Sequence, residues 1–428
     1  SHLHKPKKHC EVSPQAPLRI MKRFLLLVIT VFGLKTATGA PVEKSMLDTF
    51  IKYASISSQS SNDSICTQGQ HTMALVLKND VESIIREQNA KNVECVLSEH
   101  NYLYVTIPSN VKSPCPSIGI SCHLDVTPEA PGSSITPIID ALNGRTIVRT
   151  DGTTLLGADD KCGCTIAVHL IQKILSDKKI KHGKVMFAFC PNEDVGRAAD
   201  NIDSTIFSPE IIYDLDGVGG EAITKSNFTA RGLAHKFIGH DAHPGDAKAD
   251  KLGDATAAAA TFIASVPVEY RPENTEGLQG YIHPWGFEKS GGFDVIVRTR
   301  VRYFDKAEGE KFNNIINDAL ARVTRDFPNV KTEVLQDVMQ YENVAYTLHP
   351  QAQKLVENAA KKIGKKVVFT DERGGTTAAM FAAKGLKGGM CLFTGQHEVH
   401  STREYADLKE MEEAYLLMLE IIKQIPSI

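Results

Sequence analysis

The stretch LLGADDKCGC, residues 155–164, decides how the rest of the chain is read. Two adjacent carboxylates, Asp159 and Asp160, stand between a glycine turn and an apolar pattern at Ile166, Ala167, Leu170 and Ile174. That spacing predicts a helix opening at the pair, its inner face packed on a core. Carboxylates at a helix start are commonplace, because the free N–H groups and the dipole favour negative charge there. The strand ends around this pair give it a different meaning.

Apolar runs at residues 117–122, 185–189, 211–215 and 390–393 read as strands. Each delivers His, Asp or Glu at or beyond its carboxyl end: His123 and Asp125, then Glu193 and Asp194, then Asp216, then His397 and His400. Further strands are expected over 93–97 and 103–107, and helices over 46–53, 68–87 and 411–425. Apolar strands alternating with helices predict an α/β fold with a mostly parallel central sheet covered by helices on both faces. Such sheets bind ligands beyond the carboxyl ends of their strands.

His123, Asp159, Asp194, Asp216 and His400 make a mixed nitrogen and oxygen set, which suits zinc and its neighbours better than calcium. Five protein ligands exceed one open tetrahedral site. They suit two metals about 3.5–4 Å apart sharing a carboxylate and a water. Glu193, immediately before Asp194, is the candidate general base. Asp125, two residues after His123, is placed to orient that ring.

The chain has 428 residues, 42% hydrophobic and 23% charged, with a net charge of −3, so neither nucleic acid nor an anionic membrane is an expected partner. Met21-Lys22-Arg23, an apolar stretch over 24–34 and Thr38-Gly39-Ala40 read as a signal peptide over 21–40, which would place the protein in the secretory route. Residues 1–20 lie upstream of it. Of nine cysteines, Cys10 falls in that leader, and the remaining eight show no disulfide framework. Cys122 and Cys190, inside apolar strands, read as buried thiols.

His-x-Asp, GADDK, an acidic pair before Val-Gly, YDLDG and a late histidine, in that order, resemble the co-catalytic zinc exopeptidases. The resemblance is in particular to the peptidase T (tripeptide aminopeptidase) family, related to carboxypeptidase G, aminoacylase and succinyl-diaminopimelate desuccinylase. It rests on TDGTTLLGADDK at residues 150–161, HPGDAK at 243–248, ERGGT at 372–376 and LFTG before the last ligand. It implies two zinc ions per chain, one held by His123 and Asp216 and the other by Asp194 and His400, with Asp159 bridging. Glu193 would be the base and Asp125 the carboxylate behind the first ligand. His397 competes with His400. Two departures stand out: the family's Glu-Glu is Glu193-Asp194 here, and its RGGTDG is RGGTTA, with Thr377 in place of an acid.

The resemblance also implies a zinc-exopeptidase-like catalytic domain in two parts, 41–225 and 339–428, with a smaller α/β two-layer lid domain inserted at 226–338. Within the lid a helix is expected over 254–266, a Pro/Gly-rich loop over 272–292 and a strand over 295–301. His243 would steady an oxyanion, Arg302 would grip a peptide carboxylate, and Arg373 is a third substrate-binding candidate. Homodimerisation through the lid is implied, with no sequence feature to speak for it. The expected activity is removal of the N-terminal residue from short peptides, tripeptides above all. Alternatives on the same di-metal site are a dipeptidase, a carboxypeptidase or an N-acyl-amino-acid amidohydrolase; a secreted non-catalytic homologue is a rival of another class.

Overall fold

The structure is a computed structural model that describes residues 42–63 and 66–428. The targeting segment expected over 21–40 and Cys10 lie outside the described residues. The first strands are β1 (Glu94–Leu97), β2 (Leu103–Ile107), β3 (Ile118–His123), β4 (Ile138–Leu142), β5 (Arg145–Arg149), β6 (Val185–Cys190), β7 (Ile211–Val218) and β8 (Ala222–Asn227). An inserted unit contributes β9 (Thr229–Ile238), β10 (Tyr281–Lys289), β11 (Val295–Tyr303) and β12 (Lys331–Tyr341). The chain then returns with β13 (Val368–Glu372), β14 (Gly389–His397) and β15 (Tyr405–Asp407). The helices are α1 (Val42–Ala54), α2 (Gln68–Glu87), α3 (Ala158–Ser176), α4 (Ala255–Ala264), α5 (Lys306–Asp326), α6 (Ala352–Ile363), α7 (Thr377–Ala383) and α8 (Leu408–Gln424).

The large sheet runs β1-β2-β6-β3-β7-β14-β15-β5-β4, with β8 on β14 and β13 on β8. Its parallel character resides in the centre, where β6, β3, β7 and β14 pair in parallel; the flanks are antiparallel. β3 and β6 are buried at every position, since helices lie on both faces, which is why they read as unbroken apolar runs. On one face α2, α3, α6 and α8 share a single core with Ile118, Ile120, Val185 and Phe187. α3 is buried on nearly every side, a helix enclosed between the sheet and its neighbours. α2 shows the ordinary one-sided pattern: Met73, Ala74, Leu77, Val81 and Ile84 are buried, and Thr67 Oγ1 accepts from the Gln70 N–H to cap its start. On the opposite face Phe381 of α7 joins Tyr102, Tyr104, Met186 and Phe207.

The inserted unit is a four-stranded antiparallel sheet, β10-β11-β9-β12, with its own core. Leu233 and Phe237 of β9 and Val295, Val297 and Val301 of β11 pack on Phe262 of α4 and Phe312 and Ile316 of α5. This is the two-layer lid. The loop expected over 272–292 is corrected in part: β10 occupies 281–289. Pro284 and Gly286 hid it, and both are tolerated because β10 is an edge strand whose register shifts between them. A second hairpin, β4–β5, turns on Asn143-Gly144 with φ of 51° and 77°, the left-handed pair that such turns require.

Among the described residues Cys95, Cys115, Cys122, Cys162, Cys164, Cys190 and Cys391 are free thiols, and Cys122 and Cys190 are buried as expected. Among the described residues no helix is long and apolar enough to cross a membrane.

Candidate active site

Because β6, β3, β7 and β14 run parallel, their carboxyl ends lie along one edge of the sheet. His123 is the last residue of β3. Glu193 and Asp194 follow β6 after a turn at Asn192. Asp216 lies within β7, where Leu392 pairs with Leu215 and Phe393 with Gly217, so Asp216 is left out of the ladder. Such an irregularity re-aims a side chain. His400 stands beyond β14 with φ of 60°.

Asp159 joins the two halves of the cluster. Its Oδ1 lies 2.7 Å from His123 Nε2, and its Oδ2 lies 3.3 Å from His400 Nε2. His123 Nε2 is also 3.4 Å from Asp216 Oδ1, and His400 Nε2 is 2.9 Å from Asp194 Oδ1. His397 instead faces Glu410 at 2.6 Å and stacks on Tyr405. The structure therefore places His400, and not His397, against the carboxylates.

Asp160, fully buried, points away from its neighbour's task. Its Oδ2 accepts from the His123 N–H and its Oδ1 from the Gly163 N–H, both at 3.0 Å, tying the start of α3 to the end of β3. A Cβ on Gly163 would fall 2.1 Å from the Leu215 carbonyl oxygen of β7 and 2.5 Å from Asp160 Oδ1. A backbone carbonyl in a central strand cannot yield. Gly163→Ala is therefore expected to lower unfolding free energy by about 1–3 kcal/mol, read in a denaturant titration, and to reduce metal binding by shifting Asp160 and with it His123.

Carboxylates behind the cluster hold it in place. Asp125, fully buried, stands 3.4 Å from His123 Nδ1, which has no hydrogen-bond partner among the described residues. Its two oxygens accept from the backbone N–H groups of Glu193 (3.0 Å) and Asp194 (3.1 Å). Glu129 Oε2 lies 2.9 Å from His400 Nδ1. Glu404, 2% exposed, accepts from the N–H groups of Leu156, Gly157 and Asp159 at 2.8, 2.7 and 2.9 Å. Gln70 and Asn192 exchange two hydrogen bonds, 2.8 and 2.9 Å, beneath the Glu193 turn. Glu193 Oε1 accepts from Thr377 Oγ1 at 2.9 Å.

The electrostatics show a site rich in negative charge. Burial, reinforced by the charge of Asp159, pushes the Asp194 carboxyl up to about 7 and that of Asp216 up to about 6. Burial also lifts Glu193 well above the usual carboxylate range. Asp159 goes the other way: burial opposes its charge, but His123 and His400 hold it below that range. His400 rises to about 11 through its hydrogen bonds to Asp159 and Asp194.

Buried carboxylates without matching positive charge are costly, and metal coordination relieves them. Asp194 Oδ2 is buried without a hydrogen-bond partner among the described residues. Donor atoms of Asp159, Asp194 and His400 lie within 4.8 Å of one another, as do those of His123, Asp160 and Asp216, and those of His123, Asp125 and Asp194. The residues present fit a pair of divalent cations.

The other three candidates lie outside this cluster. His243, exposed in the lid, accepts from the Gly245 N–H and stands 3.6 Å from Asp246. Arg302, next to last in β11, lies on the face away from α4 and α5 and donates to the carbonyls of Arg231 and Val301 and to Gln340. Arg373 donates to the carbonyls of Gly277 and Gln279 and to Thr275, and lies over the rings of Phe228 and Tyr281. It fastens the returning chain to a lid loop.

The model of peptidase family M20/M25/M40 matches residues 119–424, a span that holds every ligand candidate. The chain belongs to that family. It is thus a peptidase of the M20 family. Peptidase T of Parabacteroides distasonis is 29% identical over 412 residues, covering 89% of this chain and 98% of the relative. Among solved structures, aminopeptidase PepT from Bacillus cereus superposes with a TM-score of 0.72 at 21% identity, covering 90% of this chain and 99% of its own. A dinuclear metal binding peptidase of the M20 family from Bacillus subtilis superposes at 0.62 with 12% identity, covering 90% and 98%. All share this fold.

These relatives overturn one expectation. The secretory placement drawn from residues 21–40 is withdrawn: the Peptidase T relatives match this chain over 98% of their own length, and that likeness gives no support to a targeting segment. An apolar run after a basic pair has the composition of a signal peptide, and composition alone carried that expectation.

Proposed function

We propose that this chain is a two-metal aminopeptidase that removes the N-terminal residue from short peptides, tripeptides in particular. The observation that carries it is the divided carboxylate of Asp159, one oxygen toward His123 and the other toward His400. His123 and Asp216 would hold one ion, Asp194 and His400 the other, with Asp159 shared. Two imidazoles and three carboxylates favour zinc. When bound, such ions polarise the scissile carbonyl and acidify water at the site.

The chain's own residues supply the proton transfers and the positioning. Glu193 takes a proton from the attacking water and returns it to the leaving amine as the carbon–nitrogen bond breaks. Asp125 fixes the turn that carries Glu193 and Asp194, and Glu404 fixes the backbone that carries Asp159. His243 is proposed to steady the oxyanion, and Arg302 and Arg373 to bind the peptide; their place on the lid and at its attachment supports roles that depend on lid position. The implied dimer through the lid has support in β12, an exposed edge strand that carries Val334, Leu335, Val338 and Met339.

A substrate panel tests this proposal. Unblocked tripeptides are expected to be cleaved after the first residue, and N-acetylated copies of the same sequences to resist cleavage. Faster turnover of N-acyl amino acids, or release of C-terminal residues, would instead assign the same metal site to an amidohydrolase or a carboxypeptidase.

A further inference from the structure

The turn Asn192-Glu193-Asp194 is held from below through its backbone by Asp125 and through Asn192 by Gln70. None of those contacts reaches the carboxylate of Glu193. Its single hydrogen bond among the described residues comes from Thr377 Oγ1, 184 residues away, at 2.9 Å. Thr377 is 1% exposed and opens α7, whose preceding residue Thr376 caps the helix by accepting from the Ala379 N–H. A threonine in a helix commonly turns its hydroxyl back to the chain's own carbonyls. At the first helical position there is no earlier turn to receive it, and the hydroxyl is directed onto Glu193. The branched side chain has few rotamers there, so the donor is held in place.

We infer that Thr377 is a positioning residue for this hydrolysis: its hydroxyl pins Oε1 of Glu193 and leaves Oε2 to carry the proton from water to the leaving amine. A base that both removes and returns a proton needs one oxygen in a constant place through both transfers. Free rotation of the carboxylate would exchange its two oxygens and lose that geometry. Thr377 stands where the resembled motif has an acid. A hydroxyl donates at any pH, whereas an acid donates only when protonated, so this chain supplies the contact with a neutral group. The inference rests on Glu193 being the base.

The test compares Thr377→Val, Thr377→Ser and Glu193→Gln with the wild type on an unblocked tripeptide. Metal content and thermal midpoint are measured for each. Thr377→Val, equal in shape without the hydroxyl, is expected to lose about tenfold to a hundredfold in kcat, the worth of a hydrogen bond to a charged group. Its KM should stay within about twofold and its metal content at the wild-type level. Thr377→Ser should restore kcat to within about threefold. If Thr377→Val does not fold, Thr377→Ala against Thr377→Ser gives the same comparison. Wild-type kcat in Thr377→Val beside an inactive Glu193→Gln would overturn the inference and leave the base in place. A loss confined to KM, a loss of metal, or failure of serine to restore turnover would overturn it as well, by making Thr377 structural. Activity in Glu193→Gln would remove the base assignment itself.

Discussion

Glu193→Gln is expected to keep its metal and lose about a hundredfold to ten-thousandfold in kcat, the usual worth of a positioned general base. The substitution exchanges one oxygen for an amide nitrogen of the same size and keeps an acceptor for Thr377 Oγ1. Asp125 still receives the backbone N–H groups of residues 193 and 194, since those bonds do not involve the side chain. Asp194 and His400 therefore stay where they are. What is lost is a group able to accept a proton. Kinetics on an unblocked tripeptide, with elemental analysis of the same preparation, separates this outcome from a ligand defect. Activity that survives the change would sink the mechanism, and metal lost with the activity would move Glu193 from base to ligand.

The clustered carboxylates and histidines were legible because each closes a strand or opens a helix, where sequence pattern and chemistry coincide. His123 ends an apolar run, Asp216 follows one, and Asp159 precedes a periodic one. The residues that support them were not legible. Glu404 meets the Asp159 loop across 245 residues and contacts only backbone N–H groups, which leave no pattern in side-chain order. Thr377 was visible as a departure from a motif, yet nothing local said that its hydroxyl would meet Glu193. Between the two late histidines the resemblance favoured His400; in the structure Glu410 engages His397 and Asp159 faces His400. In the fold, the apolar central strands were read closely, whereas β10 was missed because proline and glycine in an edge strand mimic a loop. The targeting segment failed for a different reason: it rested on composition with no partner residues elsewhere to check it.

Asp159→Ala is expected to be the most damaging single substitution, removing both ions where other ligand variants remove one. The reason lies in its two oxygens, 2.7 Å from His123 Nε2 and 3.3 Å from His400 Nε2. Without them the first group falls to His123 and Asp216 and the second to Asp194 and His400, two protein ligands each. Two ligands leave a borderline divalent ion short of the three protein donors that catalytic sites ordinarily keep. The activity loss should be at least as large as that of base removal, about a hundredfold to ten-thousandfold. His400→Ala leaves His123, Asp216 and Asp159 intact, so it should retain about one ion per chain. The comparison is decisive because it does not depend on activity: metal content alone distinguishes a shared carboxylate from an ordinary ligand. Should Asp159→Ala retain one ion while His400→Ala loses both, the bridging place would belong to the histidine side of the site. In that case the carboxylate of Asp159 would serve only His123.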